Sequence, residues 1–121
     1  MDSKQYQSES ELVDRASMDD VVGRIGDREA RLLHHSMGIA GESGELVDAI
    51  KKHIFYGKPL DEENVLEEIG DLMWYQARLL ALLGFTVEDA MDHNNKKLKI
   101  RYAGGYSNKA AVERADKPEG E

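Results

Sequence analysis

Apolar residues recur along this chain at helical spacing almost everywhere and alternate almost nowhere, which predicts an all-α fold. The two strongest patterns lie between Leu32 and Arg78 and just beyond. Taking about 100° per residue from Glu42, the residues Leu46, Ile39, Ile50, Leu32, Ile54, Val47 and Ala40 fill an arc of roughly 40° to 160°, with Glu45 about 60° to the other side. Counted from Glu68, the set Leu79, Leu72, Val65, Leu83, Ile69, Leu80, Met73 and Leu66 fills nearly the same arc, with Asp71 again on the far side. The shared layout predicts two helices that pack by their apolar faces, with Glu42, Glu45, Glu68 and Asp71 facing one another along the edge of the contact.

Breakers and caps supply the other elements. Residues 1–26 are polar and weakly patterned: Tyr6, Leu12, Val13 and Ala16 permit one short helix, the run Ser17-Met18-Asp19-Asp20 breaks it, and the stretch to Gly23 and Gly26 reads as a connection. Asp27 is the expected N-cap of a long helix from Arg28 to Ile54, about 40 Å in length, with Glu29 in its first turn. Gly38, Gly41 and Gly44 each cost that helix about 1 kcal/mol relative to alanine. Close helix packing and room for a ligand beside the acids explain them equally well. Phe55-Tyr56-Gly57-Lys58-Pro59-Leu60 is the break, Asp61 caps a third helix that runs to Leu83, and Gly84 closes it. Thr86 with Asp89 resembles a capping box and opens a fourth helix through Ala90, Met91, Leu98 and Ile100. The expected organisation is a short helix and connection over 1–26, a helical domain over 27–106, and a polar, disordered tail over 107–121 that contains Gly104 and Gly105 at its approach and Pro118 and Gly120 within it. The early part of that tail could still fold back over a site.

Composition narrows the chemistry. A chain of 121 residues suits one domain with a modest core. No apolar run approaches membrane-spanning length, and the start Met1-Asp2-Ser3 does not read as a signal peptide, so a cytoplasmic protein is expected. Without cysteine there is neither a disulfide framework nor a thiolate zinc site, and four histidines without an ExxH pattern argue against a di-iron bundle. The net charge of −8 disfavours nonspecific binding to nucleic acid or an anionic membrane.

It does not disfavour a small phosphate ligand, because acids that chelate divalent cations become attractive to phosphate once the ions are bound. Carboxylates are hard oxygen ligands of the kind Mg²⁺ and Mn²⁺ prefer. Four of them brought together would otherwise raise one another's pKa. A single ExxE pair on a helix surface is commonly just a solvated face, but two pairs at matched angle beside an apolar arc favour a metal site.

Gly41-Glu42-Ser43-Gly44-Glu45-Leu46, and after the loop Glu67-Glu68-Ile69-Gly70-Asp71-Leu72-Met73-Trp74-Tyr75, resemble the MazG-type all-α nucleoside triphosphate pyrophosphohydrolases. The likeness continues through Lys51-Lys52, Phe55-Tyr56-Gly57-Lys58 and Asn94 to Tyr102, in family order, over roughly residues 30–106. It is closer to the compact single-module forms of bacteria and phages than to the two-module housekeeping enzyme. The resemblance implies a four-helix-bundle-like fold, assembled as a homodimer or homotetramer. It implies hydrolysis of nucleoside or deoxynucleoside triphosphates between the α and β phosphates, with two or more Mg²⁺ or Mn²⁺ ions per site. Carried over by motif, Glu42, Glu45, Glu68 and Asp71 would be the metal ligands and catalytic acids. Asn94 and Lys97 would contact phosphate or sugar, with Arg101 and Tyr102 nearby. One departure stands out: the first motif often has two adjacent glutamates, and here Gly41 holds the first position. The ExxE pair is intact, so metal binding is expected to persist.

Several residues carry two readings. Lys52 and Lys58 (and Lys51) stand by the loop and reach either phosphate or solvent. Trp74 projects away from the main apolar arc and needs a second surface, with another helix or subunit favoured over a stacked base. His34 and His35 are expected to be structural. Rival functions are a non-catalytic nucleotide-binding or interaction module, and hydrolysis of another phosphoanhydride such as an alarmone.

Overall fold

The computed structural model describes residues 1–14 and 17–118; Ala16 and Gly120, both named above, fall outside the described residues. Among the described residues there are six helices and no strand. None of the helices is long and apolar enough to cross a membrane. The chain divides into two units, Met1–His34 and His35–Glu121.

The first unit holds α1 (Ser3–Val13), α2 (Met18–Gly23) and the opening turns of α3 (Asp27–Tyr56). Asp2 caps α1 by accepting from the Gln5 amide at 2.8 Å. The run Ser17 to Asp20, expected only to break a helix, starts one instead. Ser17 accepts from the Asp20 amide, and Asp19 and Asp20 lie in the first turn, where negative charge suits the helix dipole. The stretch expected to be a plain connection to Gly23 is therefore helical. Asp27 also differs from expectation: the Ala30 amide donates to the Gly26 carbonyl, so the helix starts one residue earlier and Asp27 is inside it. Its carboxylate takes Arg31 Nε at 3.0 Å, one turn on.

The second unit contains the rest of α3, then α4 (Glu62–Leu82), α5 (Val87–Arg101) and α6 (Asn108–Glu113). The turn after α3 is made by Gly57 in the left-handed region, φ +68°, which no branched side chain would adopt cheaply. His53 Nδ1 lies 2.7 Å from the Lys58 carbonyl and ties the turn back onto the helix. Asp61 caps α4, accepting from the Asn64 amide at 3.0 Å. The Thr86–Asp89 capping box is complete in both directions, at 2.9 and 3.1 Å.

Beyond α5 the tail departs from expectation. Ser107 caps α6, and Asp116 is drawn under Arg101, so 107–118 is a folded segment. The Arg101–Asp116 ion pair, which no periodicity announces, ties this segment to the end of α5.

Helices α3 and α4 run antiparallel. Gly38 meets the Tyr75 ring, Glu42 meets Asp71, and Ala49 shares a cavity with Asn64. Four residues forward on α3 are matched by four back on α4, and seven more by seven more. Gly38 settles one question left open by sequence, since a Cβ there would run into the ring of Tyr75. Around Gly41 and Gly44 there is open space. Close packing thus explains the first glycine and not the other two.

The predicted apolar arcs are only partly covered. Leu46, Ile39, Ile50, Val65, Leu72, Leu79 and Leu80 are half-buried, whereas Val47, Ile54, Leu66, Ile69 and Met73 remain exposed. Among the described residues Ala49 is the only buried apolar side chain.

Candidate metal centre

The antiparallel register sets Glu42 of α3 against Glu68 and Asp71 of α4. One carboxylate oxygen from each lies within 4.8 Å of the others. Glu42 and Glu68 are half-buried and Asp71 is exposed, so the cluster opens to solvent on one side. Two carboxylates at this separation cannot both stay ionised cheaply. A hydrogen bond to Glu42 is the main cause that pushes the Glu68 carboxyl up to about 7; desolvation and the charges of Glu42, Glu45 and Asp71 add to it. A proton held between Glu68 and Glu42 relieves that repulsion. An all-oxygen donor set with several lone pairs converging on one point suits a hard cation of the magnesium type, so these three residues could hold one.

Glu45, one turn on from Glu42, is exposed and stands outside that set of three. Its charge still reaches both Glu68 and Lys52. The pair predicted as Glu42 with Glu45 is therefore split, with one member in the cluster and the other at its rim.

Toward the α3–α4 turn lies a cavity of about 360 Å³ lined by Ala49, Lys52, Lys58, Pro59, Asp61 and Asn64. Lys52 is committed there to Asp48 at 2.7 Å, and Lys51 reaches the same carboxylate at 3.4 Å while lying over the Tyr56 ring. Asp48, which sequence reasoning did not single out, is held below the usual carboxylate range chiefly by its hydrogen bond to Lys52. It sits at i−3 and i−4 from the two lysines, a spacing that could have revealed it.

At the other end of the acid cluster His35 is buried against Trp74 and Tyr75, with ring centroids 6.1 and 6.3 Å away. Trp74 meets Tyr75 edge-on at 5.1 Å, yet 55% of Trp74 remains exposed. The indole thus has one flank packed within the chain and the other open.

On α5, Asn94 lines an apolar cavity of about 540 Å³ together with Met73 and Gln76 of α4. Lys97 and Arg101 follow on the same face, and both are half-buried. Arg101 is engaged by Asp116 through two hydrogen bonds, at 2.6 and 3.1 Å, a partner that sequence reasoning missed because the two are far apart in the chain. Tyr102 packs on Tyr106 at 5.3 Å.

Residues 32–104 match the model of the MazG nucleotide pyrophosphohydrolase domain. The chain is also similar to the Gene 37 protein of Mycobacterium phage L5, 35% identical over 75 residues that make up 58% of this chain and 65% of that protein. It therefore spans just under two thirds of that relative's length. No solved structure matches the chain. With the domain match covering more than half of the residues and the three acids of α3 and α4 converging within it, this chain belongs to the MazG nucleotide pyrophosphohydrolase family.

Proposed function

We propose that this protein is a metal-dependent nucleoside or deoxynucleoside triphosphate pyrophosphohydrolase, with Mg²⁺ as the usual ion and Mn²⁺ as a substitute. The observation that carries the reading is the convergence of Glu42, Glu68 and Asp71 inside a domain of pyrophosphohydrolase type. In the reaction a water oxygen bonds to the α-phosphorus as Glu42 or Glu45 takes its proton, and the bond to the α–β bridging oxygen breaks, leaving a monophosphate and pyrophosphate. Bound divalent ions would neutralise the phosphate oxygens and lower the pKa of the attacking water.

The chain's own residues do the rest. Glu42, Glu68 and Asp71 would hold the ions, and Glu68 would have to give up its proton to do so. Glu45, exposed at the rim, would supply a fourth carboxylate. Asn94, Lys97, Arg101 and Tyr102 on α5, and Lys52 and Lys58 at the turn, offset the charge of the polyphosphate and hold the sugar. Trp74, with one face open, offers a surface to a base or to another subunit.

The working form is a homo-oligomer. Leu66, Ile69 and Met73 on α4 and Val47 and Ile54 on α3 leave the predicted helix-packing faces bare in one chain. A second copy presenting the same faces would cover them. The net charge of −8 argues against nucleic acid as the partner.

The test is a panel of nucleoside and deoxynucleoside triphosphates, a dinucleotide and an alarmone, with Mg²⁺ and with Mn²⁺, scored separately for monophosphate and pyrophosphate. Equal release of the two products from a triphosphate is expected. Release of inorganic phosphate alone, or no turnover of any member, would reject the reading.

A further inference from the structure

The cavity between α4 and α5 fixes how these helices run against each other. Leu83 and Val87 line it at one end, and Met73, Gln76 and Asn94 at the other, so α5 runs back antiparallel to α4. Arg101 lies two helical turns beyond Asn94, on the same face of α5.

Its side chain does not hang loose there. Arg101 Nε donates to one oxygen of Asp116 and Nη2 to the other, at 2.6 and 3.1 Å. The Asp116 side chain is only 3% exposed and that of Arg101 15%. The helix that brings Asp116 into reach, α6, packs closely on α5. The Tyr102 hydroxyl is the guanidinium's other neighbour.

The geometry points to Asp116 as a positioning residue. By occupying the Nε–Nη2 edge it orients Arg101 beside the Tyr102 hydroxyl, so that the remaining guanidinium N–H groups meet a phosphate oxygen of the polyphosphate. This rests on the pyrophosphohydrolase reading. Masking, in which substrate must first pry the pair apart, is disfavoured by burial: both carboxylate oxygens are spent on one guanidinium, and separating them would strand a desolvated charge. Arg101 holds the Asp116 carboxyl below its usual range, so the pair stays ionic throughout the neutral range. A fork pinned along one edge loses less freedom when its other edge binds phosphate than a free side chain would.

Steady-state pyrophosphate release with Mg²⁺ on the full chain tests this. Asp116→Asn keeps the shape and can still accept one N–H, and it is expected to raise KM about tenfold with kcat within about twofold. Asp116→Glu restores the two-oxygen acceptor and should return KM to within about threefold of the parent. Arg101→Lys, which keeps the charge and loses the fork, should raise KM by about the same factor as Asp116→Asn. An unchanged or lowered KM in Asp116→Asn, with the parent turning over normally, would overturn the assignment of Asp116 while leaving the enzyme reading intact. A parent inert toward every triphosphate would remove both. Should Asp116→Asn lose its helical circular dichroism, the Arg101→Lys result decides alone, a parental KM being the refuting outcome.

Discussion

Helix α4 has two dissimilar sides. Toward α3 it presents Glu68, Asp71 and Tyr75, which meet Glu42 and Gly38 across a short turn and are brought together by one chain. Elsewhere around its circumference Leu66, Ile69 and Met73 lie 41–71% exposed. The acids are assembled and the apolar face is not. A hairpin of two helices sets its own register through a local turn, so a polar edge along that seam needs nothing from outside. The remaining stripe is left open to solvent in one chain, and it is the surface on which the proposed association would be built.

The largest expected effect comes from breaking the acid side. Asp71→Asn or Glu68→Gln should lower kcat/KM for the preferred triphosphate by about a thousandfold with helical content unchanged. Glu45→Gln, at the rim, should cost about a hundredfold or more. Parental turnover in any of them would remove that residue from the metal role.

Charging the apolar side comes next. Leu66→Asp or Met73→Glu should shift the assembly toward monomer by light scattering, because a carboxylate buried without a partner costs several kcal/mol. An unchanged mass would show that this face is not where copies meet.

Where the seam closes, the glycines sharpen the contrast. Gly38→Ala drives a methyl into the Tyr75 ring and should destabilise by about 1–3 kcal/mol. Gly41→Ala has open space and a helical backbone, and should stabilise by up to about 1 kcal/mol. Urea denaturation of the two variants reads both signs.

The smallest effect is a pH dependence. Glu68 titrates near 7 in the folded chain, above its ordinary value, so folding favours the protonated form. That contribution is fully present below the ordinary carboxylate pKa and is lost as pH rises through about 7. The metal-free protein should therefore melt at lower temperature at pH 8 than at pH 5.5, and Mg²⁺ should narrow the difference by replacing the proton. A melting temperature that rises over this interval without metal would contradict the shared-proton geometry.

Much of this molecule is written in spacings of three and four residues. The limits of α4 and α5, the Asp61 cap, the Thr86–Asp89 box and the three-residue spacing of the acids on each helix follow from contacts within one or two turns, where sequence distance and spatial distance coincide. Helix α3, by contrast, runs on through Phe55 and Tyr56, which the sequence assigns to the break. The start of α2 at Ser17 was equally local but was obscured by acids that look like a breaker and serve as a first turn. What depended on packing was of another kind. Whether Glu45 joins Glu42 in the cluster turns on how α3 is rotated against α4, and spacing leaves that rotation open. Which glycine is crowded turns on the position of one tyrosine ring. The pairing of Arg101 with Asp116 joins residues separated by a turn and a short helix, and no periodic signal connects them. Helical periodicity ranks the faces of each helix, but which face meets which neighbour is decided only when the helices dock.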